Sequence, residues 1–535
     1  MHLIRSERFW RWTVILGLTL LSSLPALFGW LNSNSQRVFI GRIPYSTSDT
    51  GPYYSIIEQV RQGRILAGNQ FTSEPQQPSL LHPLWILLGW LAALTHLSTP
   101  WAFHLSRVLA VGLFLWVLER GLRVLFADWR TRLLAVVIVG TSSGLGWIIY
   151  LRSPTPPHFM QVPVDLWVSE ANTMLSLMHS SLFVLSQLFL CLVYWATYQL
   201  TLHRRNTWYI GPLLLVLGLM HPYDMIPVGM VTLVWMIGWL VVQAPPRAER
   251  WRATWQYVRW WLWVIPIAPY YLLIVLHQPA MVGWLKQNVD ITPGAPQMLL
   301  GYGLLWPLAL SGAWRLWKTH RAEMLLLVAW VAMTLVLAYW PGLSIQRRLL
   351  NGLHIPLAIL AAVGVLWFTN KVIFPRLKYV FLALAMLLLA ATNLDLIKSA
   401  VANDLWPDRA DYPMYLNRQE AQGLVWLRNH STFDQVVWCD VWSGNTVAGL
   451  IARTVAFGHG NQTLHPGLRD QDWKNFIRAD YPNADRMAML KRLHITWLYW
   501  TPAEQAESTY RPAQDQRWQL DYSNSAMQIY RLQLH

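Results

Sequence analysis

Eleven runs of mostly apolar residues, near 12–31, 101–119, 132–150, 175–200, 208–221, 224–243, 258–276, 298–315, 323–340, 352–368 and 379–398, constrain this chain more than any other feature. A helix needs about 20 such residues to cross a hydrocarbon core about 30 Å thick. No water is available there to satisfy open backbone groups, so a chain of this kind is a bundle of helices that close their own hydrogen bonds. The composition agrees: 54% of the 535 residues are hydrophobic, 13% are charged and 34 are Trp, with a mean hydropathy of +0.28. A soluble protein, a disordered chain and a disulfide scaffold are excluded. The two cysteines, Cys191 and Cys439, lie in segments too unlike to form a disulfide framework.

The distribution of Lys and Arg orients the bundle. The run 83–97 is only 15 residues long, the length of an interfacial segment. If it does not span and the N-terminus is inside, the inside segments hold 19 Lys and Arg, whereas the short outside loops hold only Arg152, Lys286, Arg347 and Arg348. If it did span, every later loop would change sides and the pattern would invert. The positive-inside rule therefore predicts eleven spans, the N-terminus in the cytoplasm, the C-terminus outside and 83–97 at the outer surface of a cytoplasmic membrane. Five acids accompany the 19 cations, so the inside segments carry +14 of the net +15. The basic balance reports membrane orientation and contact with anionic lipids, not nucleic acid. The first span is long for a signal sequence, and no cleavage site follows it, so it is expected to stay as an anchor.

Two masses lie outside in this arrangement. One is the loop 32–100, within a membrane domain 1–398. The other is the tail 399–535, which is expected to form a small α/β domain. In the tail, 418–430 has the pattern of an amphipathic helix, 436–441 of a buried strand followed by a Ser-Gly-Asn turn, and 495–500 of a second strand.

The candidate chemical groups cluster outside. Asp49 follows the first span by about 18 residues and precedes an amphipathic stretch. A carboxylate there can act as general base toward a substrate reaching the outer leaflet. The competing reading is an N-cap of the helix beginning near Thr50. Glu74 closes the second polar stretch of the same loop. Asp165, Glu170 and Asn172 stand at the entrance of the fourth span, where Glu170 is either part of an acid/base pair or a first-turn charge. His221 and Asp224 break the apolar pattern as His-Pro-Tyr-Asp, as a functional pair or as an interfacial turn. Arg347 and Arg348 sit on the side where cations are rare. Two such guanidinium groups can grip a lipid phosphate bidentately, against the alternative of headgroup snorkelling. His459, in Gly-His-Gly, can present an imidazole or lie in an ordinary loop. His158 has no second His at ligand spacing, so no metal site is read.

These residues carry a resemblance. An acid soon after span one, interfacial helices before span two and an outside C-terminal α/β domain resemble the GT-C superfamily of membrane glycosyltransferases. More closely, SDTGPYYSIIEQVRQGRILAGNQFTSEPQ, SGLGW, DLWVSEANT, HPYD, QRRLLNGLHIPLA and GHGNQT, in that order, resemble a group of large bacterial glycosyltransferase-like membrane proteins. The resemblance implies inverting transfer of a sugar from a polyprenyl-phosphate donor to an extracytoplasmic acceptor. Asp49 matches the catalytic acid of loop one, and Arg347 and Arg348 would neutralise the leaving phosphate. Loop one lacks the Asp-Asp or Asp/Glu-x-Asp pair of metal-dependent members, so no cofactor is expected. The alternatives are a non-catalytic scaffold of the same fold and a transporter. Against the transporter, no inverted repeat is evident, and Arg107 is the main charge within a span.

Overall fold

A computed structural model describes residues 6–152, 159–402 and 413–533; His158 lies outside them. Nine helices among the described residues are long and apolar enough to cross a membrane: Glu7–Leu31, Thr99–Val124, Trp129–Ile149, Ser181–Leu202, Pro222–Gln243, Arg247–His277, Arg321–Ala338, Gln346–Lys371 and Arg376–Ala402. The chain is a multi-pass membrane protein.

Two of the eleven expected spans fall short. The run 208–221 is an 11-residue helix, Ile210–Met220, ended by His221 and Pro222. The run 298–315 is broken into Ala295–Tyr302 and Leu305–Thr319. Gly303 makes the break with φ at +43°, a conformation that costs a side chain dearly. The fourth span is also interrupted, at Ser180, whose extended backbone separates Thr173–His179 from Ser181–Leu202. The segment 83–97 forms the helix Pro83–Thr95, too short to span.

The chain groups into two compact units. The first comprises Met1–Pro25, Leu105–Pro269 and Asp290–Leu405; the second comprises Ala26–His104, Tyr270–Val289 and Trp406–His535. In the first unit, helices Leu305–Thr319 and His354–Lys371 meet backbone to backbone. A Cβ on Gly312 would stand 1.8 Å from the Leu360 carbonyl oxygen, and one on Gly364 would stand 2.2 Å from that of Leu308. Such small-residue contacts are how helices approach closely in lipid, where hydrophobic burial drives little. Arg107 is buried in this unit and donates to the carbonyls of Ser22 (3.1 Å) and Leu177 (2.9 Å). Ser22 lies three residues before Pro25 in the first helix, and Leu177 lies three before the break at Ser180. This charge therefore serves backbone groups at two helix irregularities.

The second unit holds two sheets. β1 (Arg37–Phe39) pairs antiparallel with β2 (Tyr415–Asn417), joining the first loop to the tail. β3 (Val436–Trp438), β4 (Ile495–Trp500), β5 (Trp518–Ser523) and β6 (Gln528–Leu532) form a mixed sheet in the order β3-β4-β6-β5, with β3 and β4 parallel. Strand alternation divides the core. Trp438, Leu498 and Trp500 face an aromatic cluster with Trp473 and Phe476, while Val437, Trp497 and Tyr499 face Leu427, Val447 and Ile529. Ile40 and Phe71 of the first loop enter the second cluster. The expected helix at 418–430 and strand at 495–500 are present. The expected Ser-Gly-Asn turn is not: β3 stops at Trp438, and Ser443, Gly444 and Asn445 are helical within Val441–Ile451. Asp440 caps that helix by accepting the Ser443 N–H at 2.6 Å.

Candidate active site

In the second unit, Asp49 stands at the N-terminus of the helix Thr50–Arg61. Its backbone is already helical (φ −68°, ψ −17°) and its side chain makes no capping hydrogen bond. The N-cap alternative is therefore met in position but not in chemistry. One side of the segment is fixed by close packing. A Cβ on Gly51 would lie 2.7 Å from Asn445 Oδ1, and Asn445 Nδ2 donates to the Ser48 carbonyl at 3.1 Å. Thr50 Oγ1 accepts the Ile43 N–H at 3.0 Å, and Tyr54 donates to the Gly41 carbonyl at 2.8 Å.

The Asp49 carboxylate itself accepts from the Ser46 hydroxyl at Oδ2. Its Oδ1 lies 3.5 Å from His459 Nε2; the Asp49 side chain is 45% exposed and that of His459 only 4%. A held yet accessible carboxylate is the arrangement a general base needs. Glu74 is differently engaged. It accepts from Arg469 Nη2 at 2.7 Å and from the Thr72 hydroxyl, tying the first loop to the helix Pro466–Phe476.

In the first unit, Arg347 and Arg348 lie in a short 3-10 turn, Gln346–Leu350. Both guanidinium groups bind Asp290, each at 2.5 Å. The backbone fixes the same pairing: Asp290 N–H donates to the Ser344 carbonyl (2.7 Å), and Arg347 N–H donates to the Asp290 carbonyl (2.9 Å). Arg347 stands 5.1 Å from the Trp167 ring centre and Arg348 stands 4.8 Å from that of Tyr223, which holds both planes by cation–π contact. Burial opposes ionisation of Asp290, but Arg348 and Arg347 outweigh it and hold the carboxyl below its usual range.

His-Pro-Tyr-Asp and Gln-Arg-Arg-Leu-Leu-Asn prove to be two halves of one construction. Tyr223 carries Arg348, while Asp224 accepts Asn351 Nδ2 at 3.0 Å through each oxygen. Asp224 also accepts from the Ser186 hydroxyl and lies 3.0 Å from His221 Nδ1. Asp224 and His221 are buried. They do not form an exposed interfacial turn, because Ser186 and Asn351 supply the partners that make burial of a carboxylate tolerable.

The other expected site residues have structural partners. Asp165 is buried and accepts the N–H groups of Gly144 (2.9 Å) and Gly146 (3.3 Å), which pins the Ser-Gly-Leu-Gly-Trp segment. Burial pushes its carboxyl up to about 7. Asn172 caps the helix Thr173–His179, accepting the Leu175 N–H at 3.2 Å. Glu170 is buried in the short turn Ser169–Ala171, within electrostatic reach of Arg348. Neither Asp290 nor Asn351 stands out in the sequence as a site residue. The only signal for Asp290 is a lone acid between two apolar runs, on the same expected side as the anomalous arginines.

The solved structures provide the comparison. The archaeal oligosaccharyltransferase of Archaeoglobus fulgidus, in its apo form, aligns over 92% of this chain and 70% of its own, with a TM-score of 0.56 and 12% identity. The arabinofuranosyltransferase AftD from Mycobacteria aligns over 99% of this chain and 40% of its own (TM-score 0.54, 14% identity). ArnT from Cupriavidus metallidurans, bound to undecaprenyl phosphate, aligns over 96% and 97% (TM-score 0.50, 11% identity). The chain shares the fold of these solved transferase structures. No family model and no curated protein sequence matches the chain. The likeness is thus one of architecture.

Proposed function

We propose that this GT-C chain is a glycosyltransferase of the cytoplasmic membrane that moves a sugar, of the hexose class, from a polyprenyl-phosphate donor to an extracytoplasmic hydroxyl acceptor. The observation that carries this reading is the Asp49 carboxylate, which begins a helix it does not cap and is accessible while braced from one side. As general base, Asp49 takes the proton of the acceptor hydroxyl. The acceptor oxygen forms its bond to the sugar C1 as the C1–O bond to phosphate breaks. The electron pair leaves with the polyprenyl phosphate, and the anomeric centre inverts. As a pair, Arg347 and Arg348 have the charge and fork geometry to bind a phosphate.

Two solved neighbours support the donor class. An Archaeoglobus fulgidus oligosaccharyltransferase structure of TM-score 0.53 is a complex with dolichol-phosphate, and the ArnT structure holds undecaprenyl phosphate. The test is the release of undecaprenyl phosphate from undecaprenyl-phosphate glucose, mannose or galactose by purified protein. Asp49→Asn is expected to lower turnover by about a hundredfold or more, the usual contribution of a general base. Activity that survives this substitution removes Asp49 from the role, and no turnover with any of the donors favours a non-catalytic scaffold.

A further inference from the structure

His459 is buried, yet its ring does more than fill the core. Nδ1 accepts two backbone N–H groups, from Asn461 at 2.9 Å and Gln462 at 3.1 Å. The turn that makes these bonds is itself locked. Thr463 Oγ1 accepts the N–H groups of Gly458 and His459, each at 3.1 Å, and donates to the Phe71 carbonyl at 2.8 Å. The Phe71 ring packs edge-on against the imidazole, 5.9 Å between centres.

A nitrogen that accepts two N–H donors cannot itself carry hydrogen, so the ring hydrogen belongs on Nε2. Nε2 is buried and makes no hydrogen bond within normal range. It faces Asp49 Oδ1 at 3.5 Å. That distance is long for a hydrogen bond, but catalytic contacts often tighten only when substrate is bound.

We propose that His459 is a positioning residue for Asp49, presenting to its carboxylate a ring N–H whose tautomer is fixed by the Gly458–Thr463 turn. The inference rests on the proposed role of Asp49. The dyad acts as a clamp and not as a relay. With Nδ1 spent on the backbone and Nε2 already protonated, the imidazole has no place for the proton that Asp49 takes up. That proton leaves through the exposed side of the carboxylate. The division of labour differs from a Ser-His-Asp triad, where the histidine moves the proton and the carboxylate orients it. Here the histidine orients and the carboxylate moves the proton.

Two measurements on the full-length protein test this. In detergent-solubilised protein labelled with ¹⁵N-histidine, the His459 signals are identified by their loss in His459→Phe. Nδ1 is expected to resonate as an imine-type and Nε2 as an amine-type nitrogen, with the Nε2–H proton moving upfield in Asp49→Asn. A hydrogen on Nδ1, or an Nε2–H resonance indifferent to Asp49→Asn, overturns the proposal. In the undecaprenyl-phosphate sugar assay, His459→Phe is expected to lower kcat about tenfold with KM little changed, the size of one lost orienting bond to a charged group. His459→Gln, which can accept from the turn and donate to Asp49, restores most of that loss. In the Asp49→Asn background, His459→Phe adds nothing further. Full additivity there overturns the proposal. Absence of turnover in the wild type counts against the Asp49 role and leaves the resonance measurement to decide the His459 contact.

Discussion

Asp290 shows how far one carboxylate can alter the meaning of its neighbours. Arg347 and Arg348 stand out in the sequence as cations on the wrong side, but both already hold an anion. A lipid phosphate gripped by this pair competes with Asp290. Asp290→Asn removes the competing charge and keeps the shape. It is expected to tighten binding of undecaprenyl phosphate about tenfold, whereas replacing both arginines with Gln weakens it by at least as much. Calorimetry in detergent checks both, and unchanged affinity in the double arginine variant removes the phosphate role. A second carboxylate gives a pH dependence. Burial first, and then the nearby Glu504, push Asp440 up to about 8. The folded chain thus keeps a proton there that the unfolded chain has lost above about pH 4. Linkage makes this group's contribution fall as pH rises from about 4 to about 8 and level off above. Asp440→Asn keeps the cap acceptor without the charge. Its melting temperature should exceed that of the wild type at pH 9, with the gap closing toward pH 5; a gap independent of pH would refute the assignment.

At the scale of elements, glycine positions separate packing from mere sequence pattern. Gly312 and Gly364 let two helices of the first unit touch through their backbones. Gly312→Ala places a methyl group where a carbonyl already stands, and should cost about 1–3 kcal/mol of stability. Gly17 and Gly112 are also helical, but a Cβ on either meets nothing within 4 Å. Alanine at either is expected to leave the melting temperature unchanged or raise it. Thermal unfolding of the three variants in one detergent checks the contrast, and equal effects at all three would refute the packing account. Element type was largely legible from periodicity and run length. Breaks inside apolar runs were less so. Near the breaks at Ser180 and Gly303, other segments serve the helix carbonyls: Arg107 donates to that of Leu177 at 2.9 Å and the Leu145 N–H donates to that of Leu300 at 2.8 Å.

At the scale of the whole molecule, nine long apolar helices among the described residues agree with a polytopic chain, and the charge bias predicts its sidedness. A cysteine introduced as Arg130→Cys, at the start of the third long apolar helix, in a Cys191→Ser, Cys439→Ser background, should react with an impermeant maleimide only after the membrane is opened. Labelling of intact cells would invert the arrangement and move the C-terminal domain to the cytoplasm.

The sequence by itself determined that the chain is a helical membrane bundle with an α/β tail, since run length and alternation are local properties that need no partner. It also drew attention to Asp49, the paired arginines and the His-Pro-Tyr-Asp motif. Only the tertiary structure decided what each of these touches. Asp290 meets arginines 57 and 58 residues away, Asp224 meets an asparagine 127 residues away, and Asp49 faces His459 of the C-terminal tail. The physical reason is that the availability of a charged group depends on which surface folds against it. Long-range backbone packing sets that surface, and the identity of the residue does not.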